Sequence, residues 1–233
     1  MLPLFTRCLP QAELLHQSLV SLLGNDAPRS PVLSGRDPTT GRPLSGHRHT
    51  HYLPLDLDND GRLDHVIVHA PMGLDPLAQG AIRRIQRTWT KGDEGSIIVT
   101  QSGFGDLQTI AEQLRRLAGV PLATLGAARS WASVTPFVPP RHLKRRRHTL
   151  EDQVRSELKS RGLPVALTVA LLDREELVRR RLLQFVRSRR VGKPQPPSPR
   201  AFGIRLVFDR PVAGPITLGY ASHYGLGLFA REA

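Results

Sequence analysis

The sequence predicts an α+β protein with two tandem domains that share one order of strands and helices, and three observations support this. With 39% of its 233 residues hydrophobic, the chain can form a packed core. Apolar residues recur at every second position in some segments, as in half-buried strands, and at helical spacing in others. The order of these segments is similar before and after residues 118–129. We therefore expect one domain over residues 1–118 and another over residues 129–233.

The first domain is expected to open with a strand and a helix. Residues 4–9 are apolar enough for a short strand. A helix then begins at Pro10, carries leucines at helical spacing and ends at Gly24. Residues 25–46 contain prolines and glycines without periodicity, which predicts a loop.

A hairpin, a helix and a strand complete the first domain. Residues 47–55 and 62–70 are strand-like and are joined through Asp60-Gly61, a strong hairpin signal. Residues 76–88 predict a helix, and residues 96–101 predict a buried strand. The resulting order, β-α-β-β-α-β, is that of ferredoxin-like domains.

The second domain is expected to repeat this order. Residues 131–138 predict a strand, which two prolines end. Residues 149–161 predict a helix, with Thr149 as its N-cap and Asp152 at the capping-box position. Two further strands are expected, and they are residues 164–172 and 202–208.

A basic, proline-rich segment separates the last two of these strands. Residues 173–199 are rich in arginine and end in a run of prolines. Such composition is typical of an insertion that stays mobile until a ligand orders it.

The net charge indicates a polyanionic partner. The chain has 33 Lys and Arg against 20 Asp and Glu, a formal charge of +13. Nucleic acid and an acidic membrane surface are the two candidates. The membrane is disfavoured, because no apolar run approaches the roughly 20 residues that span a bilayer and residues 1–9 lack the features of a signal peptide. A single cysteine, Cys8, excludes an internal disulfide, so a cytoplasmic location is expected.

Two segments concentrate the positive charge, residues 141–148 and 179–190. Cationic clusters of this kind bind a nucleic-acid backbone by releasing counterions, although a solvated helix face is the alternative interpretation. The low aromatic content, 5%, favours structured RNA over a surface that stacks single strands. The predicted RNA contacts are Arg141, Lys144, Arg145, Arg146, Arg147, Arg179, Arg180, Arg181, Arg187, Arg189 and Arg190.

The segment Gly46-His-Arg-His-Thr-His-Tyr-Leu-Pro54 carries the densest chemistry. If it is a strand, His47, His49 and His51 share one face. A two-residue turn at Asp60-Gly61 would pair His51 with Ala70 and place His65 and His69 on the opposite face.

Three interpretations of these histidines compete. Two imidazoles that titrate near neutral pH suffice for general acid–base catalysis, with His47 and His49 as the working pair and His51 in an orienting role. Arg48 would then stabilise a charged phosphate. A zinc site is the second interpretation, although no carboxylate is evident to orient the ligands. The third is a structural role at the rim of the core.

The hairpin connection also matches half of a calcium-binding loop. Asp56, Asp58 and Asp60-Gly61 occupy the first positions of that motif. The twelfth position is Ile67 rather than Glu, and no helix follows. An ordinary hairpin turn is therefore favoured.

The C-terminal segment is rich in glycine. Gly219, Gly225 and Gly227 could let the backbone approach an RNA phosphate, with His223 as a further RNA contact and a reserve catalytic candidate. Tight turns would also explain the glycines.

These motifs together resemble the RAMP superfamily of CRISPR proteins. The resemblance is closest to the repeat-processing (Cas-six-like) half of the Cas-five/Cas-six fusion subunit of type I-G (earlier I-U) systems, and it covers nearly the whole chain. The matching motifs are the histidine segment, Asp60-Gly-Arg-Leu-Asp-His65, Ala70-Pro71, Trp131, Thr135-Pro-Phe137, Arg141-His142 and Gly219-Tyr-Ala-Ser-His-Tyr-Gly-Leu-Gly-Leu-Phe229.

The resemblance implies a metal-independent endoribonuclease without a cofactor. It would cleave CRISPR repeat RNA beside a hairpin, by attack of a 2′-OH that leaves a 2′,3′-cyclic phosphate and a 5′-OH. The implied partners are the crRNA and other effector-complex subunits, including a Cas-five-like half that would precede residue 1. Catalytic positions vary in this superfamily, so the resemblance does not assign a histidine. A non-catalytic subunit that holds guide RNA, and a zinc-dependent hydrolase, are the alternatives.

Overall fold

The protein is a mixed α+β fold with two antiparallel sheets, as a computed structural model that describes residues 1–89, 96–119 and 122–232 shows. In the described residues the helices are α1 (Cys8–Leu23), α2 (Pro31–Ser34), α3 (Pro76–Arg84), α4 (Leu107–Ala118), α5 (Leu150–Ser160) and α6 (Arg174–Arg179). The strands there are β1 (His51–Leu55), β2 (His65–His69), β3 (Ala127–Ser133), β4 (Thr168–Leu171), β5 (Ile204–Ala213) and β6 (Phe229–Arg231). None of the helices seen in these residues has the length and hydropathy that crossing a bilayer requires.

The second half of the chain forms a four-stranded sheet in the order β4-β5-β3-β6, with every neighbouring pair antiparallel. Val154 and Leu158 of α5 pack against a core that includes Trp131 and Leu206. The predicted helix is confirmed together with its capping box. The Thr149 hydroxyl accepts from the backbone N–H of Asp152, and the Asp152 carboxylate accepts from the backbone N–H of Thr149. The strands predicted at 131–138, 164–172 and 202–208 are formed with different ends.

The first half contains two strands rather than four in its described residues, so a tandem ferredoxin-like arrangement is not confirmed. Residues 4–9 were expected to be a strand, and this is wrong. Leu4 forms one isolated bridge to Arg62, a 3-10 turn follows, and α1 begins at Cys8. Apolar runs this short fit a strand and a buried helix equally well, and here the helix buries Cys8 and Leu9.

The buried strand expected at residues 96–101 is not formed either. Ile98 makes a single bridge to Arg87, and its side chain is 86% exposed. Among the described residues the segment belongs to neither sheet, and residues 97–103 line the same cavity as β2 without pairing with it. In the described residues of the first half, helices therefore pack on a two-stranded sheet.

The β1–β2 hairpin has a register one residue away from the predicted one. His51 pairs with His69, not with Ala70. The connection is a loop over residues 56–64, in which carboxylates cap backbone N–H groups: Asp64 accepts from Leu57 at 2.7 Å. Since directly opposite residues of a sheet share a face, His69 lies on the face of His51.

The basic segment 173–199, which was expected to be a mobile insertion, packs against the first half of the chain. Leu182 and Phe185 are buried against the start of α1, and the N–H of Val186 donates to the Thr6 carbonyl at 2.9 Å. Apolar side chains within the arginine run therefore fix its position.

Candidate active site

The glycine-rich C-terminal segment folds back onto the histidine segment and places His223 among three other imidazoles. His47 and His49 precede β1 and are not in a strand, whereas His51 is its first residue. His223 lies in a 3-10 turn, Ser222–Tyr224, that contacts β1. The predicted alternation of three histidines along one strand is therefore wrong, since His47 has a left-handed backbone (φ 52°) and the rings meet by stacking.

His223 is the centre of this histidine cluster, which consists of His47, His49, His51 and His223. Its ring is sandwiched between those of His49 and His51, with centroids 3.9 Å away on each side. Its Nε2 lies 3.0 Å from Nδ1 of His47, and its Nδ1 lies 3.0 Å from the Thr50 carbonyl oxygen. The position of His223 shows that the glycine-rich loop reaches the histidine segment.

His51 is the buried member of the cluster, with 4% of its surface exposed. Its Nε2 donates to the His47 carbonyl at 2.9 Å, and its Nδ1 accepts from the Thr217 hydroxyl at 3.1 Å. Both ring nitrogens are thus engaged inside the protein. This environment suits an orienting or packing role for His51.

His49 and His47 are half-buried, and each has one ring nitrogen without a hydrogen-bond partner in the described residues. Nδ1 of His49 is buried without a hydrogen-bond partner in the described residues. His47 uses Nδ1 toward His223, and no protein group in the described residues bonds its Nε2. A buried imidazole nitrogen without a partner is unusual in a packed protein.

The cluster is electrically neutral at pH 7. Burial lowers the pKa of His51 to about 3 and that of His49 to about 4. Burial also lowers the pKa of His223, and burial together with the Arg161 charge lowers that of His47. Removing these rings from water penalises the imidazolium, and stacked neighbours repel a second positive charge. Neutral imidazoles can accept protons from a substrate.

Helix α5 holds the glycine-rich segment in place through a buried ion pair. Arg161 and Glu157 are 2.9 Å apart, with side chains 8% and 14% exposed. Glu157 accepts from the N–H of Gly219 at 2.7 Å, and Arg161 donates to the Ser222 hydroxyl at 3.0 Å. The sequence did not single out Arg161, because a Glu–Arg pair four residues apart is common on exposed helices.

The two basic segments differ in how much charge they leave free. Residues 141–148 lie on the surface beside the start of α5, where the Gln153 side chain bonds the backbone of Arg141 and His148. In the part of the chain that is described, the side chains of Lys144 and residues 145–147 form no ion pair and are exposed. This segment keeps its predicted availability to a polyanion.

The segment 179–190 is instead partly neutralised by acidic residues. Arg189 pairs with the buried Glu13, and Arg180 lies 3.4 Å from Glu232. The Arg190 side chain donates to Gln17 at 2.9 Å. These partners are far away in sequence, so a run of arginines does not reveal them. Several of the predicted RNA contacts here, Arg179, Arg180, Arg189 and Arg190, thus have protein partners. The structure shows no ion pair for Arg181, Arg187 or the exposed Arg48 among its described residues.

The glycines serve the fold rather than an open phosphate cradle. The N–H of Gly219 is bonded to Glu157, and that of Gly227 donates to the Pro136 carbonyl at 3.0 Å. A Cβ on Gly227 would lie 1.8 Å from the Leu218 carbonyl oxygen, and one on Gly225 would lie 3.0 Å from Pro54. Both residues have positive φ values. The predicted backbone contacts with RNA at Gly219 and Gly227 would need N–H groups that are already used.

Metal-ligand geometry occurs in the hairpin loop, not in the histidine cluster. Among the described residues, Asp56, Asp58 and Asp64 form the one group of three whose ligand atoms lie within 4.8 Å of one another. The imidazole nitrogens point to different partners because the rings stack. The arrangement of the cluster therefore does not match a zinc ligand set.

A separate apolar cavity of about 690 Å³ lies between the β1–β2 hairpin, α3 and α4. Its lining includes Val66, Ile82 and Leu114, with His65 and His69 at its edge. The four clustered histidines do not line it, so the cavity is not the place where their chemistry would occur.

No family model, curated protein or solved structure matches the chain. The geometry of the histidine cluster and the distribution of charge are therefore the observations that bear on function.

Proposed function

We propose that the protein is a metal-independent endoribonuclease that processes CRISPR repeat RNA at the histidine cluster. The observation that carries the proposal is the assembly of four neutral imidazoles from two segments 176 residues apart, in which His47 and His49 each have a ring nitrogen without a hydrogen-bond partner in the described residues. A purely structural core would more economically use apolar side chains, because each buried imidazole must be desolvated.

The chemistry requires a base and an acid. Nε2 of His47 takes the proton of a ribose 2′-OH, the 2′ oxygen forms a bond to the adjacent phosphorus, and the bond from phosphorus to the 5′ oxygen breaks. His49 gives a proton to that departing oxygen, since the negative charge of a bound phosphate favours the imidazolium form. Arg48, which is exposed and lies between His47 and His49 in the sequence, stabilises the charged phosphorane. The products are a 2′,3′-cyclic phosphate and a 5′-OH.

The free cations supply the affinity for RNA. The cationic residues of segment 141–147, which are exposed, precede the N-terminal end of α5, and Arg161 at its C-terminal end contacts the loop that carries His223. An 11-residue helix is about 16 Å long, so RNA held at the basic segment lies within a few nucleotides of the cluster.

The order of the four-stranded sheet supports the fold implied for such an enzyme. With α5 between β3 and β4, and β5 paired between these strands, the second half contains a split βαβ unit. We propose that this half is ferredoxin-like, with residues 214–228 in place of its second helix.

Incubation with CRISPR repeat RNA tests the proposal. The wild-type protein should produce one discrete cut with a 2′,3′-cyclic phosphate, in EDTA as well as in Mg²⁺. A 2′-deoxy substitution at the cut should abolish cleavage but not binding. His47→Ala and His49→Ala should each lower the rate by about 10²–10⁴-fold. His65→Ala, at a histidine outside both the cluster and the basic segments, is the matched control and should cleave normally.

A subunit that holds guide RNA without cutting it is the second candidate. The neutral state of His49 favours it, because a pKa of about 4 leaves few molecules with an acid ready at pH 7. Tight binding of repeat RNA without any cut by the wild-type protein would establish this candidate and exclude the first.

A further inference from the structure

We infer that His223 is a positioning residue that holds His47 in the tautomer with hydrogen on Nδ1, so that the lone pair of Nε2 faces the substrate. The tautomer part of this inference stands on the hydrogen bonds and on the burial of the His223 ring, and its catalytic consequence rests on the proposed function.

The Thr50 carbonyl fixes which nitrogen of His223 carries the hydrogen. A carbonyl oxygen can only accept, so Nδ1 of His223, 3.0 Å away, must carry a hydrogen. Because burial keeps the ring neutral, Nε2 of His223 then has no hydrogen and can only accept. The group 3.0 Å from that nitrogen is Nδ1 of His47, which must therefore be the donor.

The other nitrogen of His47, Nε2, is then left without a hydrogen. A neutral imidazole carries one hydrogen, and in His47 it is on Nδ1. Nε2 of His47 is left with a lone pair and is the nitrogen that no described protein group bonds. Free histidine in water prefers the opposite tautomer, with hydrogen on Nε2, in which this nitrogen cannot act as a base. The protein thus selects the reactive form through His223.

The His223 ring is held so that it cannot easily exchange its nitrogens. Its two faces contact His49 and His51, each with a centroid distance of 3.9 Å. The preceding residue, Ser222, is fixed by Arg161, the C-cap residue of α5, through a 3.0 Å bond. A rotation of the ring by 180° about its Cβ–Cγ bond would break the bonds to Thr50 and His47 together.

Nuclear magnetic resonance of the wild-type protein tests the tautomer directly. Protein labelled with ¹⁵N-histidine is examined at pH 7.5 by long-range ¹H–¹⁵N correlation, and the His47 signals are identified by their loss in His47→Gln. We expect hydrogen on Nδ1 of both His47 and His223, and a scalar coupling across the hydrogen bond from Nδ1 of His47 to Nε2 of His223. Hydrogen on Nε2 of His47 would overturn the inference without any variant of His223.

Two substitutions of His223 separate positioning from packing. His223→Phe keeps a flat ring between His49 and His51 but removes the acceptor, and His223→Gln places an amide oxygen near the lost Nε2. The first should shift His47 toward hydrogen on Nε2 and lower kcat by about 10²-fold or more with little change in KM. The second should restore the Nδ1–H form and cleave faster than the first.

The outcomes distinguish this inference from the proposed function. If His223→Phe leaves the His47 tautomer unchanged, or if both substitutions affect cleavage equally, His223 only packs. If the tautomer changes as expected but the wild-type protein cuts no repeat RNA, the positioning is established and the ribonuclease proposal fails. Circular dichroism of both variants confirms that they are folded, and if His223→Phe is unfolded, the wild-type spectrum decides the question alone.

Discussion

Acidification should destabilise this protein strongly, because folding keeps several histidines neutral. Burial lowers the pKa of His51 to about 3 and that of His16 to about 4, and it also lowers the pKa of His223. In the unfolded chain these groups titrate near 6.5. Below that pH the unfolded chain binds more protons than the folded one, so stability is complete above 6.5 and is lost as the pH falls toward the folded pKa values.

The magnitude follows from proton linkage. When the pH falls from 7.5 to 5.5, each histidine that remains neutral in the folded protein lowers the free energy of unfolding by about 1.4 kcal/mol, since only the unfolded form gains the proton. His51 is 4% exposed and should contribute this amount fully. His16 and His223 are partly exposed, so the total of about 4 kcal/mol for three residues is an upper bound. The expected loss is about 2–4 kcal/mol, a large share of the stability of a typical domain.

Urea unfolding at the two pH values measures this loss, with the fluorescence of the buried Trp131 as the probe. His223→Phe removes one of the titrating rings, so its stability should change less between the two pH values than that of the wild type, by up to about 1.4 kcal/mol. His142→Gln, at an exposed position, should show the wild-type difference. An equal pH dependence in the wild type and His223→Phe would refute the assignment of this sensitivity to the histidine cluster.

Three further predictions concern binding, folding and rate. Replacement of residues 144–147 by alanine should weaken RNA binding and reduce the slope of log K against log salt by about 3, at 0.7–0.9 per phosphate contact; an unchanged slope would show that these side chains do not touch RNA. Gly227→Val should prevent folding because its Cβ would overlap the Leu218 carbonyl, whereas Gly192→Val, at a similar positive φ with nothing within 4 Å, should fold; circular dichroism compares them. If His49 is the acid, with a pKa of about 4, kcat/KM should rise about tenfold as the pH is lowered from 8 to 7. A flat profile would remove His49 from that role.

The sequence by itself determined the local features whose causes are near in the chain. The cap of α5 was predictable from Thr149 and the residue three positions later, because both halves of a capping box are local. The excess of positive charge and the cationic run at residues 141–147 were also evident, since both are read directly from the residue types. The first half was less predictable, because residues 4–9 and 96–101 are too short for their apolar pattern to separate strand from helix or loop.

Only the tertiary structure decided the composition of the site and the fate of the second arginine cluster. His223 reaches His47 across 176 residues, and the loop that carries it is fixed by Glu157 of α5 and by the C-cap residue of that helix, Arg161. Arg189 is neutralised by Glu13 of α1, which is equally remote in the chain. The register of the hairpin depended on the carboxylate bonds of a nine-residue loop rather than on its Asp-Gly pair. The contacts of His223 and Arg189 arise from the packing of distant segments, so spacing and periodicity along the chain carry no trace of them.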